Sequence, residues 1–294
     1  MNYVVGSADN PAVSLSSPRA NGDPNLHVYD TEATAEHYAS LNYLTDCERL
    51  LFDTFIQPGA RVLDLGVGAG RTTAYLSNRA SRYFAVDYAE QMIRKCRQRY
   101  PNIELAVMDV TDLSPIPSDS FDVAIFAFNG IDNVFPDENR LRFLQECRRV
   151  LVTGGIFIFS AHNPRAVLVR SRWSPERLRS FVRQRVPEGS SWFSLSFALA
   201  TCAAAVVNTG RAIASSLWRL SSRIPTRAFW RGEGWFRDPS HGGLLNHYAI
   251  PKKITAELEA NGFHLVRILG DDYPLKSQPL VTNWYYYVFS KHDR

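Results

Sequence analysis

"VLDLGVGAGRTT", Val62 to Thr73, places three alternating glycines between an apolar run and a segment with helical patterning. A loop of this kind, ending a strand and opening a helix, leaves backbone N–H groups free for a nucleotide-like ligand. Its spacing narrows the choice. The dinucleotide fingerprint G-x-G-x-x-G, begun at Gly66 and Gly68, needs a third glycine at 71, where Arg71 stands. The pattern present is D-x-G-x-G-x-G, with Asp64 two residues before Gly66 and Gly70 closing the set.

Outward from this loop the chain alternates. "RVLDLG" (61–66), "YFAVD" (83–87), "IELAVMD" (103–109), "FDVAIFAF" (121–128) and "GIFIFSA" (155–161) are short apolar runs of strand type. Helical patterns lie between them at Ala69 to Asn78, Ala89 to Gln98 and Glu138 to Leu151. The last puts Leu141, Leu144, Cys147 and Leu151 on one face, with "TGG" as its stop. Such alternation argues a parallel sheet covered on both sides. Further on, "IPKKITAELEANGF" reads as a helix from Pro251 to Gly262, followed by strand-like "FHLVRIL" and "NWYYYVFS".

The motif resembles motif I of the class I S-adenosylmethionine-dependent methyltransferases, whose glycines let the backbone approach the methionine and ribose parts of the cofactor. "AVDYAEQMI" and "VMDVTDL" extend the likeness along the next two strands, and "RRVLVTGGIFIFS" resembles the family's helix, Gly-Gly turn and fifth strand. The resemblance spans about residues 28–163 and 247–291. It implies an α/β fold: a seven-stranded, mostly parallel sheet with helices on both faces, Rossmann-like, here with a helical insertion after the fifth strand. It implies S-adenosyl-L-methionine as cofactor, held by Asp64, Gly66, Gly68 and Gly70, by Asp87 and Tyr88 at the ribose, and by Asp109 and Val110 at the adenine. The segment "HVYDTEATAEHYASL" resembles the family's cap, with Tyr29 or Tyr38 near the methionine end. Ligands in open α/β sheets bind beyond the carboxyl ends of strands, so the three acids should share one crevice. Each has a plainer reading as well, since an Asp at a strand end often caps the following helix.

Methyl transfer from a sulfonium needs positioning above all, and a hydroxyl acceptor gains from a general base. Asn129, Asp132 and His162 follow the fourth and fifth strands and are the catalytic candidates, His162 first; a His that only closes the strand is the competing reading. His241, His247 and Tyr248, in "DPSHGGLLNHYAI", are candidates for the substrate pocket. No metal is expected, because Cys47, Cys96, Cys147 and Cys202 are scattered singly. "FNGIDN" lacks the N/D-P-P-Y signature of nucleobase amino methylation, so no nucleic-acid partner is expected.

The 294 residues, 45% hydrophobic, suffice for one large domain with an embellishment. Residues 1–27 read as a poorly ordered lead-in, 28–163 as the cofactor-binding core, 164–246 as an insertion or substrate lid, and 247–294 as the return to the core. The net charge is only +4, yet residues 164–240 carry thirteen Arg against four acids, and five of the six Trp. "WFSLSFALATCAAAVV" (192–207) is too short for a membrane span and reads as a buried or interfacial helix. The Arg-rich run is expected to meet phosphate on a phosphorylated or lipid-linked substrate, an anionic membrane surface, or only water. The expected function is methyl transfer to a small molecule such as a sugar or another hydroxylated metabolite, in the cytoplasm or peripherally at the inner membrane face. A cofactor-binding module without turnover, docking through residues 164–240, is the alternative. An NAD-dependent oxidoreductase is less favoured because of Arg71.

Overall fold

Alternation within each strand builds the two faces of the fold. The computed structural model describes residues 23–168, 226–238 and 243–292, with Gly210, Ile213, Ala214 and Ser216 between them. Its main sheet contains β1 (Arg61–Leu65), β2 (Arg82–Asp87), β3 (Glu104–Val107), β4 (Phe121–Phe126), β5 (Leu151–His162), β8 (Phe263–Gly270) and β9 (Trp284–Lys291). They lie in the order β3-β2-β1-β4-β5-β9-β8. Strands β1 to β5 pair in parallel, and β9 runs antiparallel to both β5 and β8. Successive side chains point to opposite faces. Leu63, Leu65, Ala124, Phe126, Phe157 and Phe159 therefore meet helices α6 (Asp137–Val150) and α8 (Pro251–Ala260). Val62, Val123, Ile125 and Ile158 meet α3 (Asp46–Phe55), α4 (Thr73–Ser77) and α5 (Glu90–Arg99) on the other.

Several boundaries differ from the sequence reading, each for a local reason. Helix α4 starts at Thr73 and not at Ala69, because Gly68 and Gly70 take φ of +56° and +86°, outside the helical region. Helix α6 ends at Val150, and Leu151 already pairs with Phe121 in β5. The "TGG" stretch is thus a bulge within the strand, where the β4–β5 register shifts and Gly154 has φ +73°. On α6, Leu144 and Cys147 face inward as read, joined by Arg140 and Phe143, while Leu141 is 46% exposed.

Two short helices, α1 (Leu26–Tyr29) and α2 (Glu32–Ser40), precede the core. Asn25, within the stretch read as the lead-in, is fully buried. Its side-chain amide donates to the Leu245 carbonyl at 2.8 Å and to Asn133 Oδ1 at 3.0 Å, and its Oδ1 accepts the Leu245 N–H at 2.8 Å. The described part of the insertion holds a helix, α7 (Thr226–Arg231), and a hairpin of β6 (Glu233–Asp238) and β7 (Leu244–Ala249) that the sequence reading did not foresee. The chain therefore rejoins the main sheet's layers at α8, just after position 247. The run Arg170 to Arg185, the apolar stretch 192–207, His241 and residues 1–22 lie outside the described residues. Among the described residues, no helix is long and apolar enough to cross a membrane.

Candidate active site

Strands β1, β2 and β3 end side by side, which brings their three acids to one rim. Asp64, Asp87 and Asp109 line a single crevice with Gly66, Gly68, Tyr88, Val110 and Tyr38. The glycines divide the work. A Cβ on Gly66 would stand 2.5 Å from the Phe126 ring, and one on Gly70 would stand 2.8 Å from Tyr100 and 2.9 Å from Cys96 Sγ. Gly70 lies outside the lining of the crevice and serves the packing of the loop against α5. Gly68 faces the crevice, where a Cβ would meet only Tyr38, at 3.8 Å.

The acids are buried and differently held. Asp64 accepts from Tyr83 OH at 2.7 Å and Thr72 Oγ1 at 2.9 Å. Asp87 accepts the Gly68 N–H at 2.8 Å on one oxygen and the Ala89 N–H at 2.9 Å on the other, so it ties the glycine loop to the start of α5. Burial pushes both carboxyls up to about 6, against the pull of these hydrogen bonds. Asp109 accepts from the backbone and the hydroxyl of Thr111, at 2.9 and 2.8 Å. A carboxylate oxygen accepts more than one donor, so Asp87 retains capacity for hydroxyls from a ligand.

The crevice is roofed by Tyr29 and Tyr38, whose rings meet edge to face at 6.1 Å. Arg71, which the sequence offered only as a missing glycine, is part of the wall. It pairs with both oxygens of Glu48, Nη1 at 2.8 Å from Oε2, and its guanidinium lies 4.7 Å from the centre of the Phe128 ring. Glu48 also closes the capping box of α3 with Thr45, so the ion pair fixes that helix to the glycine loop.

Beyond Phe128 the crevice adjoins a second pocket, and Tyr29, Tyr38, Phe128 and Asn133 line both. Here the three catalytic candidates come together. His162 Nδ1 lies 2.8 Å from Asp132 Oδ2, which also accepts the His162 N–H at 2.7 Å, and Asn129 Nδ2 lies 3.2 Å from His162 Nε2. Asp132 is fully buried, and burial raises its carboxyl while His162 opposes the shift. The ring of His162 stacks on Tyr248 at 4.8 Å and meets Trp284 edge-on at 6.4 Å. Phe128 and Asn129 hold φ of +55° and +63°, a strained pair fastened by the Asn129 N–H to Ser160 Oγ at 2.8 Å. Asn129 Oδ1 is buried without a hydrogen-bond partner.

Tyr248 lines the second pocket, but His247 lines neither. It points to the other side of β7, packs on Trp235 at 5.0 Å, and burial holds its imidazole down to about 3. Neighbours in a strand cannot share a face. Trp284 and Asn163, absent from the sequence reading, join the pocket because β9 pairs His162 with Trp284.

Residues 62–155 match a family model described as a methyltransferase domain. A probable S-adenosylmethionine-dependent methyltransferase of Mycolicibacterium smegmatis is 32% identical over 105 residues, 36% of this chain and 39% of that protein. Over residues 62–155 the core is thus similar to methyltransferase domains. A demethylmenaquinone methyltransferase of Clavibacter sepedonicus is 36% identical to the chain over 116 residues, 38% of it and 45% of the relative. The chain thus spans about two-fifths of the length of these curated relatives. Among solved structures, a Burkholderia thailandensis 1,6-didemethyltoxoflavin-N1-methyltransferase with bound S-adenosylhomocysteine shares the fold at TM-score 0.51 and 18% identity, over 94% of this chain and 87% of that one. The crevice suits S-adenosylmethionine: Gly68 leaves room for a ligand beside Tyr38, and buried carboxylates, which can accept hydroxyl and amino donors, stand at successive strand ends.

Proposed function

We propose that the chain transfers a methyl group from S-adenosylmethionine to a hydroxyl of a neutral small molecule, a sugar or another hydroxylated metabolite, with His162 as general base. The observation that carries this reading is the Asp132–His162–Asn129 string in a pocket that shares its wall with the cofactor crevice. Bound there, S-adenosylmethionine supplies an electrophilic methyl group on a sulfonium. Asp87 would hold its ribose, Asp109 and Val110 its adenine, and Tyr38 would cover its amino-acid end.

The chain's own part is to orient and deprotonate. Asp132 accepts from Nδ1, which fixes the imidazole tautomer and makes Nε2 an acceptor; in the free chain it accepts from the Asn129 amide at 3.2 Å, and an acceptor hydroxyl would take that amide's place. An acceptor hydroxyl placed there loses its proton to Nε2 as its oxygen takes the methyl group. Among the described residues, the pocket's lining carries amides and aromatic rings from Asn129, Asn163, Asn246, Tyr248, Phe128 and Trp284, and no Lys, Arg, Asp or Glu. Such a lining suits an uncharged, ring-shaped acceptor. Leu244, Asn246 and Tyr248 bring the insertion's hairpin over this pocket, which supports a role for residues 164–246 as a substrate lid.

Methyl-labelled cofactor with a panel of neutral hydroxylated metabolites tests the reading. With any acceptor that is turned over, His162→Ala should lower kcat by about 10²-fold, the usual contribution of a positioned base, and leave cofactor affinity near wild type. Unchanged turnover in that variant would remove His162 from the chemistry.

A further inference from the structure

Arg140 has no place in the account so far, yet it is only 2% exposed and among the largest buried side chains of the protein. Its guanidinium forks onto Glu257 of α8, with Nε 2.9 Å from Oε1 and Nη2 2.8 Å from Oε2. The remaining nitrogen, Nη1, donates to the Ile131 carbonyl at 2.7 Å. A buried ion pair is a costly way to join two helices, because apolar residues of similar volume do so at least as well. Its third bond is more telling. Ile131 belongs to the 3-10 turn Gly130–Asn133, and the next residue in that turn is Asp132.

We propose that Arg140 is a positioning residue for the Asp132–His162 pair: braced by Glu257, it pins the 3-10 turn through the Ile131 carbonyl and sets a fixed positive charge behind Asp132. The inference rests on the reading of His162 as the base and extends it one residue inward. Asp132 is fully buried and its Oδ1 has no hydrogen-bond partner, so its ionised form depends on charges nearby. The groups that act on it are His162 on β5, Arg140 on α6 and Tyr287 on β9, and Arg140 in turn faces Asp137 on its own helix, Glu257 on α8 and His247 on β7. Burial keeps His247 and Tyr287 neutral near pH 7. Arg140 is the permanent cation of this set, and its charge favours the carboxylate of Asp132. With Asp132 ionised, the imidazole proton stays on Nδ1 and Nε2 stays unprotonated, an acceptor at the pocket.

The test is the titration of His162 in the full chain labelled with nitrogen-15 at histidine, its signals assigned by their loss in His162→Ala. Arg140→Gln keeps a donor for Ile131 and removes the charge, so the pair should hold its proton to higher pH, with the midpoint up by about one unit. Glu257→Gln leaves the Arg140 charge uncompensated, so the midpoint should move the other way. Opposite movements are what a merely structural brace would not produce. A folded variant of either kind whose midpoint stays at the wild-type value, or two variants that move together, would overturn the proposal. If Arg140→Gln does not fold, the sign of the shift in Glu257→Gln decides alone. Because the signal is read on the chain without an acceptor, a protein that shows both shifts and transfers no methyl group would overturn the proposed function and leave the placement of Arg140 standing.

Discussion

At the scale of single residues, Asp87 sets one carboxylate between the backbone it ties and the crevice it lines. Its two oxygens hold the N–H groups of Gly68 and Ala89, which is the helix-cap reading of this acid, and they still face the crevice, which is the ribose reading. Burial raises its carboxyl to about 6, so the free protein's stability from this group is fullest below the ordinary carboxylate range and is lost as pH rises through about 6. Hydroxyl donors from a ligand favour the ionised form, so binding should expel a proton near pH 6 and strengthen between pH 5 and 7. Calorimetry with S-adenosylhomocysteine in two buffers of different ionisation enthalpy reads that proton directly. Asp87→Asn should abolish the release and weaken binding at least about tenfold, or about 1.4 kcal/mol; an affinity flat across this range would return Asp87 to the role of a cap. Asp64, Asp87 and Asp109 could be read from sequence because position at a strand end already fixes where a side chain points. Arg71 and Arg140 could not, because an arginine is buried only where a distant acid meets it, and Glu48 and Glu257 stand 23 and 117 positions away.

At the scale of elements, the hairpin of β6 and β7 decides which of its residues reach the second pocket, beside His162. Leu244, Asn246 and Tyr248 line it at a period of two, and His247 between them faces Trp235. That alternation was present in the sequence, but it carries weight only once the segment is known to be a strand, and a strand rich in polar residues gives little apolar pattern to read. The partner that secures β7 was still harder to foresee. Asn25 mimics an added strand with its side-chain amide, matching both the N–H and the C=O of Leu245 across 220 positions. Asn25→Ala should leave the buried Leu245 groups unmatched, at a cost of about 1–3 kcal/mol, and raise the exchange rate of the Leu245 amide at least about tenfold. Hydrogen exchange followed by mass spectrometry reads this, and protection equal to wild type would show that the hairpin is held by other contacts.

At the scale of the whole molecule, chain order and strand order together make the site. The sheet places β1 between β2 and β4, so the glycine loop after β1 lies between the acid of β2 and the 3-10 turn after β4. The α/β class and the crevice were legible because strand and helix alternate from Arg61 to His162, broken only where β3 leads to β4 without a helix. The second pocket was not, since it gathers α1 and α2, the turn after β4, the hairpin and β9 from segments whose pairing no local pattern encodes. The most direct measurement is a crystal structure of the chain soaked with S-adenosylhomocysteine. The account predicts the nucleoside against Gly68, Asp87 and Asp109, with the sulfur end turned toward the pocket that holds His162 Nε2. A ligand bound elsewhere, or one whose sulfur end is shut off from that pocket, would contradict it.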